Sequence, residues 1–132
     1  MVTLDTSALL VAANRGDPDH SRVVSAMRDD RGPLVIPMGI LAEVTYFLRE
    51  DFGSRLLNAF LDDLLVGRYL LDCGEEDLPR IQELVQRYDD FPLGFADAAV
   101  IACAERHGGK VLTLDLRHFG VVAREGTITI LP

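Results

Sequence analysis

Four carboxylates stand where surface acids ordinarily do not. Asp5 ends the run Val2-Thr3-Leu4-Asp5. Glu43 is the sole charge in MGILAEVTYFL, Met38–Leu48. Asp97 is the sole charge in FADAAVIACA, Phe95–Ala104. Asp115 ends Val111-Leu112-Thr113-Leu114-Asp115. An unpaired charge on an apolar, buried element is costly, so such groups carry a partner. Basic side chains are scarce beside all four. Carboxylates that converge repel one another and drive some pKa values up. A divalent cation relieves that repulsion, and Mg²⁺ and Mn²⁺ favour carboxylate oxygen and water. The chemistry open to such a cluster is metal-assisted hydrolysis.

Each acid also has a plain structural reading. Asp5 can cap a helix, Asp97 can serve a helix's first turn, Glu43 can face solvent, and Asp115 can belong to a turn before Arg117. The remaining acids mostly explain themselves: Asp17/Asp19, Asp29/Asp30, Glu50/Asp51, Asp62/Asp63, Glu75/Glu76/Asp77 and Asp89/Asp90 cluster in turns or polar helix faces. Asp72, in YLLDC, also follows apolar residues at a strand end, but it reads as the start of a polar turn leading to Glu75–Asp77.

The elements that must position these acids alternate in type. Strands are expected at Val2–Asp5, Leu34–Pro37, Arg68–Cys73, Val111–Asp115 and Thr127–Leu131. Helices are expected at Ser7–Asn14 with Thr6 or Ser7 as N-cap, His20–Arg31, Met38–Glu50 up to the breaker Gly53, Ser54–Gly67, Glu75–Tyr88, and Phe95–His107 before Gly108-Gly109. A loop around Pro92 joins the last two helices. Strands separated by helices of ten or more residues imply an α/β fold, with a mainly parallel central sheet of about five strands flanked by helices. Ligands bind beyond the carboxyl ends of such strands, where Asp5 and Asp115 fall. Adjacent strands lie about 4.8 Å apart, so acids ending two neighbours can share one ion.

At 132 residues and 48% apolar composition, the sequence reads as one domain spanning residues 1–132. No apolar run is long enough for a membrane span, and no secretory signal layout is present. Cys73 and Cys103 lack metal-type spacing and read as reduced core residues, which points to a cytoplasmic protein. The net charge of −8 argues against a protein that holds nucleic acid on a broad basic surface. It leaves open an enzyme whose metal supplies positive charge locally. No Cys–His or Ser–His constellation, HExxH or phosphate-cradling glycine loop supports another catalytic chemistry.

The hydrophobic-Asp-Thr-Ser opening, the mid-chain Glu43, the segment LGFADAAVIACAERHGG and the segment TLDLRHF together resemble the PIN-domain ribonucleases, and more narrowly the VapC toxins of toxin–antitoxin pairs. The resemblance covers essentially the whole chain. It implies a PIN-like fold and an endoribonuclease that hydrolyses RNA phosphodiesters with Mg²⁺ or Mn²⁺. It places acidic site positions at Asp5, Glu43, Asp97 and Asp115, the four that charge isolation selects independently. It also implies a supporting hydroxyl at Thr113. Strand periodicity agrees, since residues two apart share a face. Thr6 is a second supporting candidate. Many relatives carry a further acid three positions after the Asp115 equivalent, where this chain has His118. That departure puts a second metal in doubt and leaves His118 as a substrate contact or a surface histidine. Arg15 and Arg117, near the Asp5 and Asp115 segments, are candidate phosphate contacts. The resemblance further implies a VapB-like antitoxin partner, bound near the site and across a groove of the early helices, and a homodimer.

Two other classes compete. A phospho-receiver module is similar in size and architecture, but the first strand does not end in an acidic pair, and the sole lysine, Lys110, precedes the fourth strand. A catalytically silent PIN-like binding module is disfavoured by intact acids at all four positions.

Overall fold

Short apolar runs rich in Val, Leu and Ile form the strands, and the longer amphipathic stretches between them form helices. The structure, a computed structural model, describes residues 1–132. Its strands are β1 (Val2–Leu4), β2 (Leu34–Pro37), β3 (Leu70–Asp72), β4 (Lys110–Leu112) and β5 (Thr129–Leu131). Its helices are α1 (Thr6–Ala13), α2 (His20–Asp29), α3 (Leu41–Phe52), α4 (Ser54–Leu65), α5 (Leu78–Arg87), α6 (Phe95–Arg106) and α7 (Leu116–Ala123). Two short 3-10 turns, Met38–Ile40 and Glu75–Asp77, lead into α3 and α5. No helix is long and apolar enough to cross a membrane.

The five strands form one sheet in the order β3-β2-β1-β4-β5, with every pairing parallel. The chain steps outward from β1 through β2 to β3, then returns past both to lay β4 against the other side of β1. With right-handed crossovers, that reversal places the helices before and after it on opposite faces. It also opens a crevice beyond the carboxyl ends of β1 and β4. Asp5 immediately follows β1, and Asp115 lies just past β4.

Helix α6 is the central beam. Seven consecutive residues, Ala98–Ala104, are buried in it, as a helix apolar all round requires. It packs on β1, β2 and β4 and against α5 and α7. Small residues let it lie close. A Cβ at Gly39 would come within 3.1 Å of Ala99 Cβ and 3.3 Å of the Phe95 ring. The first turn of α6 is thereby held beside the strand ends. Gly53, at φ 94°, makes the reversal between α3 and α4 in a conformation that L side chains rarely adopt.

Several expectations need correction. Strand β4 stops at Leu112, so Thr113 and Asp115 are not related by strand alternation; the segment turns to start α7, a helix absent from the sequence reading. Thr6 is the first residue of α1, and its N-cap is Asp5, not Thr6 or Ser7. Cys103 is buried but Cys73 is exposed. Cys73 follows β3, the edge strand, where Leu70 and Leu71 are also exposed for want of an outer neighbour. Helix α3 buries only Val44 and Leu48 and exposes Glu43, Tyr46 and Phe47.

Candidate metal centre

The crevice at the β1/β4 switch gathers side chains from three parts of the chain. Asp5 comes from the β1–α1 junction, Asp97 from the first turn of α6, and Asp115 and His118 from the start of α7. Asp97, Asp115 and His118 each offer one donor atom, and the three atoms lie within 4.8 Å of one another. The only ion pair to any of the four acids is that between Asp115 and His118; no Arg or Lys reaches them.

Asp5 is buried, 6% exposed. Its Oδ2 accepts from Thr113 Oγ1 at 2.8 Å and from Ser7 Oγ at 2.9 Å. Burial pushes its pKa up, and those two hydroxyls oppose the rise. Both hydroxyls sit on one oxygen, and the backbone N–H groups of Thr6 and Ser7 also favour the carboxylate. Ser7 does more: its Oγ accepts from Leu114 N at 3.0 Å and lies 3.2 Å from Thr113 Oγ1. One serine thus pins the start of α1 to the segment after β4.

Asp115 is the N-cap of α7. Its Oδ1 accepts from His118 N at 3.0 Å, three residues on. Its own N–H donates to Thr113 Oγ1 at 3.0 Å. The His118 ring places Nδ1 2.8 Å from Asp115 Oδ2. It also packs edge-on against Phe91, with ring centroids 5.0 Å apart. Arg117 lies over the other part of this wall, its guanidinium 5.4 Å from the Phe91 ring centre.

Asp97 reports the electrostatics of the whole group. Its pKa is pushed up to about 6, first by burial and then by the neighbouring charge of Asp5, with further contributions from Asp115 and Glu43; His118 opposes them. A carboxyl that feels three other carboxylates occupies a region of uncompensated negative charge. Donors of this kind, converging without a cationic side chain, fit a divalent ion.

The structure gathers Asp5, Asp97 and Asp115, with Thr113 beneath. Glu43 is exposed on α3 and outside the tight donor group, though its charge reaches Asp97. Thr6 is buried with its hydroxyl unpaired, and only its backbone N–H favours the Asp5 carboxylate. Arg15 is exposed in the turn after α1. Ser7 and Phe91 were not singled out in the sequence. The Asp-x-Ser spacing at a helix start was the one available signal for Ser7; Phe91, in a loop, gave none. Asp72 proves to be a structural acid. Arg106 grips both its oxygens and also reaches Asp77, and His107 Nε2 lies 2.6 Å away. The Arg106 guanidinium holds the Asp72 carboxyl down to about 2.

Comparison with known proteins agrees with this architecture. The family model described as PIN domain matches residues 2–125. Ribonuclease VapC26 of Mycobacterium tuberculosis is 32% identical over 133 residues, covering 98% of each chain. Among solved structures, the M. tuberculosis VapC20 toxin, described as cleaving the sarcin-ricin loop, superposes with a TM-score of 0.81 at 19% identity over the whole of both chains. The VapBC2 complex of Rickettsia felis, bound to a promoter DNA fragment, gives a TM-score of 0.71 at 16% identity over 98% and 97% of the two chains. With the acidic crevice, the parallel sheet and the family match over residues 2–125 in agreement, the chain belongs to the PIN domain family.

Proposed function

We propose that this PIN domain is a divalent-metal-dependent endoribonuclease, the toxin of a VapBC-type toxin–antitoxin pair. The observation that carries the reading is the convergence of Asp97, Asp115 and Asp5 at the β1/β4 switch with no Arg or Lys to neutralise them. A full-length relative named as a ribonuclease supports the choice of RNA.

Asp5, Asp97 and Asp115 would hold Mg²⁺ or Mn²⁺. When bound, the ion stabilises the charge that grows on the phosphate and makes a water a better nucleophile. Thr113 and Ser7 fix the Asp5 carboxylate. His118 fixes Asp115, its backbone N–H on Oδ1 and its ring Nδ1 beside Oδ2. Glu43, exposed on α3 with its charge reaching Asp97, would bind the ion through water or help take the proton from the attacking water. Arg117, seated on Phe91, contacts a flanking phosphate; Arg15 is a second candidate contact. Because the chain carries a net charge of −8, the ion and these few arginines do the work of a basic surface.

Toxin–antitoxin complexes among the structural neighbours support an antitoxin partner. The apolar groove lined by Leu9, Leu48, Leu56, Phe60 and Tyr69, between α1, α3 and α4, offers it a seat. The exposed Tyr46 and Phe47 on α3 and Leu65 on α4 supply apolar surface for a homodimer.

The test is incubation of metal-stripped protein with structured RNA. Cleavage should require added Mg²⁺ or Mn²⁺, stop with EDTA, and disappear in Asp5→Asn. Induced expression should arrest growth, and Asp97→Ala should relieve the arrest. Cleavage that survives both EDTA and Asp5→Asn overturns the proposal.

A further inference from the structure

So far His118 only holds Asp115 in place. We propose that His118 is a direct nitrogen ligand of the bound ion, and that it makes the site select a first-row transition ion such as Mn²⁺ over Mg²⁺. This rests on the metal-dependent reading of the site and deepens it.

Three observations converge on this residue. The first is distance. The donor atoms of Asp97, Asp115 and His118 lie within 4.8 Å of one another. Donors about 2.1 Å from a common ion lie up to about 4.2 Å apart, so closure needs a shift of only a few tenths of an ångström. The second is restraint. His118 is half-buried, sits in the first turn of α7, and has its ring held edge-on by Phe91 at 5.0 Å. Little side-chain freedom remains to be lost on coordination. The third is isolation. The chain has three histidines. His20 lies against the Val11 carbonyl and His107 against Asp72; His118, whose Nδ1 is 2.8 Å from Asp115 Oδ2 and whose Nε2 is unengaged, is the only imidazole grouped with Asp97 and Asp115.

A donor set of the three carboxylates and one imidazole has a chemical preference. Mg²⁺ keeps to oxygen donors and dehydrates reluctantly. First-row transition ions accept imidazole more readily. Replacing His118 by an oxygen donor should therefore shift preference towards Mg²⁺, while removing the donor should weaken both ions.

Mn²⁺ itself is the probe, bound to metal-stripped full-length protein and read by pulsed electron paramagnetic resonance and by calorimetry with Mg²⁺ competition. Wild type should show nitrogen-14 coupling to Mn²⁺. His118→Gln should lose that coupling and bind Mn²⁺ about 10-fold or more weakly, on the scale seen when ligand environments are disturbed. His118→Asp should also lose it and lower the Mn²⁺/Mg²⁺ affinity ratio by about 10-fold. A merely positioning histidine would weaken binding without any nitrogen coupling in the wild type. Mn²⁺ bound to wild type without such coupling, coupling retained in His118→Gln, or an unchanged ratio in His118→Asp overturns the assignment. Circular dichroism and melting of both variants establish that they are folded. If wild type binds no Mn²⁺, or Asp97→Asn binds it as wild type does, the metal-site reading falls as well.

Discussion

Removing a negative charge from the crevice should stabilise the metal-free protein. The perturbation is Asp97→Asn, which keeps shape and removes charge. The Asp97 pKa stands at about 6 against an ordinary 3.8. At about 1.4 kcal/mol per pH unit, that gap is worth about 3 kcal/mol. Asp97 is only half-buried, and solvent screening reduces the figure to about 1–2 kcal/mol. The sign follows from linkage. A carboxyl that titrates higher in the folded state favours folding when protonated; that contribution is full below pH 3.8 and gone above about 6. At pH 7.5 in EDTA, Asp97→Asn should therefore melt about 4–7 °C above wild type, taking an unfolding entropy of about 2.1 cal/mol/K per residue. The gap should close as pH falls towards 4, where the wild-type carboxyl is protonated and equivalent to the amide. Mn²⁺ should reverse the order at pH 7.5, since an ion at 100 times its Kd stabilises wild type by about 2.7 kcal/mol. Thermal melts at three pH values, with and without metal, read all of this. A variant no more stable than wild type at pH 7.5 in EDTA, or equally stabilised at pH 4.5, refutes the account of a crowded anionic site.

Three further outcomes follow from the same geometry. Ser7→Ala should cost about 1–2 kcal/mol in urea unfolding, because Leu114 N–H loses its acceptor; it should lower kcat more than it raises KM. Asp72→Asn should leave RNA cleavage unchanged while costing about 2 kcal/mol at neutral pH. The depressed Asp72 pKa gives stability that is present above 3.8 and lost as pH falls through about 2. Mn²⁺ affinity measured by calorimetry should fall about tenfold per pH unit below pH 6, because Asp97 must lose its proton to bind.

The four acids were legible because isolation of a charge among apolar residues survives without coordinates. The placement of Asp5 and Asp115 beyond strand ends followed from the alternation of strands and helices, and the parallel sheet bore that out. The connections were harder to read. Ser7 acts on Thr113, 106 positions away, and no local pattern encodes so distant a contact. Helix α7 was missed because LRHFGVVA buries only Phe119 and Val122, too little periodicity to register after a turn. Glu43 misled in part. Its apolar neighbours Tyr46 and Phe47 are exposed, so an uncharged stretch of sequence did not mean a buried helix face. Asp72 also ends a strand, but it reads in the sequence as the start of a polar turn, and the fork of Arg106 gives it a structural partner.

Because β1 is the middle strand, it is finished only when β4 arrives: Leu4 pairs with Leu112, and the hydroxyl that steadies Asp5 belongs to Thr113, 108 residues downstream. During synthesis, the acidic crevice therefore cannot assemble until β4 and the segment after it have been made. A chain that stops before Thr113 lacks both Asp115 and the hydroxyl that holds Asp5, so it has no complete crevice.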